Sequence, residues 1–84
     1  MAIDYRGLRG LTAREIVNAL MRDGFVLDRQ RGAHQLYYHP ADRRRVTVGY
    51  HHAGQTYPVK TLKSMIEDQA RWGKDDLRRL KLVR

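Results

Sequence analysis

At Gly24 the apolar residues of this chain change their period from that of a helix to that of a strand. Ahead of it, Ile16, Ala19 and Leu20, joined by Val17 and Met21, recur at helical spacing. Thr12-Ala13-Arg14-Glu15 has the form of a capping box, a threonine N-cap with a glutamate three residues on. Leu11 and Ile16 hold the flanking positions of a hydrophobic staple. Gly24 accepts the positive φ of a helix stop. A helix is therefore predicted over 12–23, and residues 1–10, with two glycines and few apolar groups, read as a lead-in.

Beyond Gly24 the pattern is short strands and turns. Phe25 to Arg31 reads as a strand with Phe25 and Leu27 on one face. Gly32 punctuates it, and His34 to His39 reads as a second strand, which makes a hairpin. Pro40-Ala41-Asp42-Arg43 supplies the next turn. Arg44 to Tyr50 is a third strand, with Val46 and Val48 facing one way and Arg45 and Thr47 the other. His51 to Tyr57 reads as a loop. Pro58 suits a first helical turn, and Leu62, Met65, Ile66 and Ala70 form an apolar stripe, so a second helix is predicted over 59–71. Trp72 reads as a core plug. Gly73 interrupts the helix, and Lys74 or Asp75 is expected to cap a short third helix with Leu77 and Leu80 inward.

The order predicts an α+β fold: a three-stranded antiparallel sheet, two helices on one of its faces, and a short C-terminal helix. The other sheet face stays open. The α-β-β-β-α layout is that of double-stranded-RNA-binding domains, though a layout alone does not give a function. With 84 residues the chain has room for one core, so a single domain over 1–84 is expected.

Charge narrows the partners. Seventeen Lys+Arg against nine Asp+Glu give a formal net charge of +8, and the sequence pI is about 10.5. Such a surface favours polyanions through counterion release, although membrane surfaces and acidic proteins attract the same charge. The chain has no cysteine, which excludes a disulfide framework and a thiolate zinc site and suits a reducing cytoplasm. No apolar run approaches the ~20 residues of a membrane span, and the N-terminus lacks the layout of a signal peptide. No membrane association is expected.

Gly32-Ala33-His34 carries the sharpest chemical signal. A histidine titrates near neutral pH and can exchange protons with a substrate. Arg29 and Arg31 precede it, and guanidinium groups hold phosphate oxygens in bidentate fashion. Gly32 lets a phosphate approach the backbone. The bland alternative for His34 is a strand-edge histidine bonded to backbone, the commoner case in an arbitrary protein. Strand alternation groups His34 with Leu36 and Tyr38, expected on the helix-facing side at the rim of the core. Tyr37 is expected on the exposed side with Gln35 and His39, where it could stack on a base. Lys60 and Lys63, at the start of the second helix, make a phosphate site with the helix N-terminus, and plain surface solubility accounts for them almost as well. The run Arg43-Arg44-Arg45 falls at the far end of the hairpin from His34. His51 and His52 point to opposite faces if extended and form no metal site by themselves. No carboxylate stands at helical ligand spacing from a histidine, and no Walker loop, dinucleotide fingerprint or serine-nucleophile elbow is present, so no metal or other cofactor is expected.

Several of these segments together resemble the HicA toxin family. Leu20-Met21-Arg22-Asp23-Gly24-Phe25 is similar to its helix-to-strand junction, and Gly32-Ala33-His34 falls where the family has Gly-Ser-His. Val46-Thr47-Val48 with His51-His52 resembles its third strand and basic loop, and Thr61-Leu62-Lys63-Ser64-Met65-Ile66 its second helix. The likeness runs over about residues 8–70. It implies a small ribonuclease toxin of a bacterial or archaeal toxin–antitoxin pair, cytoplasmic, cleaving messenger RNA. It also implies a HicB-like antitoxin that covers the active surface. The family's catalytic histidine maps onto His34. Ala33 departs from the family serine, and a lost hydroxyl hydrogen bond costs on the order of 1 kcal/mol.

Two other readings share the fold. One is an RNA-binding domain without chemistry, for which Lys60 and Lys63 are sparse as a phosphate clamp. The other is a ribosome-associated structural protein.

Overall fold

The computed structural model describes residues 3–83. Met1 and Ala2 of the expected lead-in, and Arg84 at the end of the expected domain, lie outside the described residues. The chain runs through a 3-10 turn (Tyr5–Leu8), α1 (Ala13–Arg22), β1 (Val26–Arg31), β2 (His34–Tyr38), β3 (Arg45–Gly49), α2 (Val59–Lys63) with a π-helical continuation (Ser64–Gln69), and α3 (Lys74–Arg79). The three strands form one antiparallel sheet in the order β1-β2-β3. This is the expected α+β arrangement of the double-stranded-RNA-binding type.

Helix α1 starts and stops where its sequence signals say. The Thr12 hydroxyl accepts from the Glu15 N–H, and the Glu15 carboxylate accepts from the Thr12 N–H, which completes the capping box. Two further N–H groups of the first turn are satisfied from a distance: Ala13 donates to the Gln55 carbonyl and Arg14 to the Ala53 carbonyl. The loop after β3 is thereby pinned to the helix start. Gly24 ends the helix at φ +103°, and a Cβ there would stand 2.8 Å from His39 Nε2. Both sterics and backbone require glycine at this corner.

The core lies between the helices and one sheet face. Phe25, Ile16, Leu20, Leu62, Ile66, Val46 and Val48 are buried in one cluster with Tyr37, Trp72, Leu77 and Leu80. Each such apolar side chain contributes about 1.5–3 kcal/mol relative to an exposed one. The 3-10 turn belongs to this core through Leu8, and the Tyr5 hydroxyl donates to the Glu67 carboxylate. The N-terminal stretch is therefore packed structure rather than a lead-in. Its apolar residues Ile3, Tyr5 and Leu8 were too little pattern to reveal the turn.

The second helix departs from its expected regularity. Beyond Lys63 its turns widen, and the Ala70 N–H reaches back five residues to the Met65 carbonyl. The helical stretch closes at Gln69, and Arg71 adopts φ +58°. Gly73, not Lys74 or Asp75, is the N-cap of α3, and its N–H donates to the Asp76 carboxylate.

Beneath the α1–β1 corner sits a polar knot. The Asp23 carboxylate takes hydrogen bonds from Trp72 Nε1 (2.9 Å) and Arg79 (2.7 Å) and lies 3.1 Å from the Arg44 guanidinium. Burial pushes the Asp23 carboxyl up, but the bonds from Trp72 and Arg79 and the charges of Arg44 and Arg79 outweigh it and hold the group below its ordinary value. Arg44 also pairs with Asp42 and stacks over the Phe25 ring. The middle arginine of the 43–45 run is thus a structural residue. His39 is turned inward here as well, edge-on to Phe25, with Nε2 2.7 Å from the Asp23 carbonyl.

Candidate active site

Residues 31–34 form a two-residue hairpin loop. Arg31 pairs with His34, and of the two central residues only Gly32 has positive φ, at +57°. Positive φ at the first central position is the pattern of a type II′ turn, whose twist matches the flanking strands. His34 is the first residue of β2 and is exposed. Its partner on the other side is Gly49 of β3.

Residues paired across antiparallel strands share a face. Tyr37 pairs with Val46 and Gln35 with Val48, and both valines are buried. Gln35 and Tyr37 therefore face the helices, while His34, Leu36 and Tyr38 face the open side. This reverses the expected orientation of β2. Tyr37 is 3% exposed and its hydroxyl donates to Gln35 Oε1 at 2.7 Å. Burial pushes its phenol pKa up, and Tyr50 adds to the shift. It is a core residue and not a base platform. His39, expected beside it on the exposed side, is packed against Phe25. The reason is that β2 carries large residues on both faces, so its own alternation does not choose between them. Val46 and Val48 of β3 decide, through the register.

The same register places the arginines. Strict alternation from the buried Phe25 would put Arg29 and Arg31 on the helix side with Leu27. Between Leu27 and Arg29 the ladder with β2 shifts by one residue, a bulge at Asp28. The extra residue resets the parity, so Arg29 pairs with Leu36 and Arg31 with His34. Both arginines share the open face with His34. Arg45 joins them from β3, its guanidinium 5.1 Å from the centre of the Tyr38 ring.

His34 stands in a clearing. Gly49, beside it, has no side chain, and a Cβ built there would meet nothing within 4 Å. The same holds at Gly32 in the turn. Space of this kind next to an imidazole and two guanidinium groups can admit a phosphodiester. The edge of the sheet at this end is firm: the Tyr57 hydroxyl donates to the Gly49 carbonyl at 2.6 Å, and the Tyr50 N–H to the Ala33 carbonyl at 2.7 Å.

Lys60 and Lys63 are exposed on α2. They lie outside the strand register that gathers His34, Arg29 and Arg31. The N-terminus of α2 carries no side-chain cap bond. His51 and His52 are exposed on the loop after β3, where the His51 N–H donates to Gln55 Oε1. Among the described residues, no group of three His, Cys, Asp or Glu side chains gathers as a metal site would. No described helix is long and apolar enough to cross a membrane. That Gly49, Tyr38 and Arg45 share the face of His34 was not evident from the sequence. The signal for them was the pairing register, which a chain of short strands does not declare locally.

A model of the HicA toxin of bacterial toxin–antitoxin systems matches residues 13–71, more than half of the chain. The chain belongs to the HicA toxin family. Comparison with curated proteins finds none that matches. The matched span runs from the first residue of α1 to Arg71 and includes the whole sheet and the His34 clearing. This HicA-family chain is a toxin component of a toxin–antitoxin system. The 3-10 turn and α3 lie outside the match.

Proposed function

We propose that this HicA-family toxin is a metal-independent endoribonuclease that cleaves messenger RNA on the open face of its sheet, with His34 as the proton-transfer group. The observation that carries the reading is the bulge at Asp28. It turns Arg29 and Arg31 onto the face of an exposed histidine that two glycines leave uncovered. In the reaction, His34 removes the proton of a ribose 2′-hydroxyl, or gives one to the leaving 5′-oxygen. The 2′-oxygen bonds to phosphorus as the P–O5′ bond breaks, leaving a 2′,3′-cyclic phosphate and a 5′-hydroxyl. Arg29 and Arg31 stabilise the charge that builds on the phosphoryl oxygens. Lys60 and Lys63 add exposed positive charge that attracts the RNA backbone. A HicB-like antitoxin, acidic to match the charge of +8, neutralises the toxin in the cytoplasm by covering the open face.

End-labelled RNA incubated with the purified chain in EDTA tests the chemistry. Fragments with cyclic-phosphate and 5′-hydroxyl ends are expected. Retarded but intact RNA would instead favour the non-catalytic RNA-binding reading of the same fold.

A further inference from the structure

The open face holds more than the His34 clearing. Along β2, Leu36 and Tyr38 follow His34 on the same side, and Tyr38 lies about 13 Å from it at ~3.3 Å per residue. Tyr38 is half-buried at its base, flanked across the sheet by the exposed Val26 and by Arg45. The Arg45 guanidinium sits 5.1 Å from the centre of its ring. On the neighbouring strand, Arg31 and Arg29 stand opposite His34 and Leu36. The face therefore has two parallel rows: guanidinium groups along β1, and apolar and aromatic side chains along β2. Guanidinium groups suit a phosphate backbone, while an aromatic ring stacked with an arginine plane suits the π-face of a base.

A duplex cannot use the second row. Its bases are stacked inside the helix and offer only their edges, and double-stranded RNA is read by backbone shape. An unpaired strand can lay its backbone along β1 and splay a base onto β2. We propose that Tyr38, backed by Arg45, is the platform on which an unpaired base of the RNA stacks, near but not next to the scissile phosphate. This rests on the ribonuclease reading of the same face. It makes Tyr38 a binding residue of the substrate and gives the dsRNA-type fold a single-strand specificity.

The test uses the full chain carrying His34→Ala, so that RNA stays intact during measurement, and reads binding rather than cleavage. The probe is a short single-stranded RNA with 2-aminopurine at successive positions. Stacking on Tyr38 is expected to quench one or two positions, and Tyr38→Phe should keep both the quenching and the affinity. Tyr38→Leu, similar in bulk but without a π-face, should lose the quenching and weaken binding about tenfold. The same RNA annealed to its complement should bind more weakly and show no dependence on residue 38. Equal affinity and quenching in the Phe and Leu variants would overturn the proposal. So would tighter binding of the duplex. Cleavage by the His34→Ala chain at the parent's rate would instead remove His34 from the ribonuclease reading, while the stacking readout would stand or fall by itself.

Discussion

At the scale of single residues, the site depends on what is missing around His34. Gly49 lies in a strand at ordinary φ, so its glycine is not needed by the backbone. Gly49→Val should fold and gain up to about 1 kcal/mol in stability, because glycine weakens a strand interior. The new side chain would fill the clearing beside His34 and lower cleavage on the order of tenfold or more. Thermal melts and cleavage rates on the same preparation check both halves. Asp23 is the opposite case, a residue made by its contacts. It is 8% exposed and tied to Trp72, Arg44 and Arg79. Its carboxyl is held below the ordinary value in the folded chain, so the unfolded chain takes up the proton first as acid is added. The stabilisation is complete above about pH 4, the unfolded value, and fades as pH falls through the folded one. Asp23→Asn should cost about 2–3 kcal/mol at pH 7, with allowance for the half-exposed Arg79. Urea midpoints of the two proteins should differ at pH 7 and draw together as pH falls below the unfolded value. Much of this was hidden in the sequence. Asp23 reads as an ordinary helix-end residue, and its three partners come from positions 44, 72 and 79, which only the fold brings together.

Among the elements, the strands show most clearly what a sequence can and cannot say. The capping box at Thr12, the stop at Gly24 and the buried pair Val46 and Val48 are local signals, and each element they mark is present. The orientation of β2 is not local. Its neighbours impose it through pairing, which is why Tyr37 and Tyr38 exchange their expected roles. The bulge in β1 is invisible to a period-two reading, since a single extra residue leaves composition unchanged. It has a testable consequence. Because Asp28 is extra to the ladder, its deletion leaves Arg29 opposite Leu36 and Arg31 opposite His34 in a regular strand. The deletion variant should fold and keep cleavage within about tenfold of the parent, as a rate measurement would reveal. Collapse of activity in a folded deletion variant would mean that the bend, and not only the parity, positions the arginines. At the opposite edge, β3 is closed by side chains: Gln69 accepts from the Thr47 N–H, and Tyr57 donates to the Gly49 carbonyl. The apolar stripe of the second helix was legible, but its π-helical turns, which accompany the placing of Gln69, were not.

Over the whole molecule, the fold puts five of the thirteen arginines to two different uses. Arg44 and Arg79 hold the α1–β1 corner to the C-terminal segment through Asp23. Arg29, Arg31 and Arg45 lie on the open face. Of these two sets, only the second should contribute to RNA affinity. If these three neutralise phosphates of a single strand, log affinity should fall with log salt at a slope of about −2, and Arg29→Ala should reduce the slope by about 0.7. A salt titration of RNA binding by the His34→Ala chain checks the slope. The single-turnover cleavage rate of one RNA, with the chain in excess, reaches the central claim most directly when parent and His34→Ala are compared at equal, verified folding. A loss of about 10²–10⁴-fold is the expected result. An unchanged rate would remove His34 from the chemistry and, with it, the open sheet face as the active site.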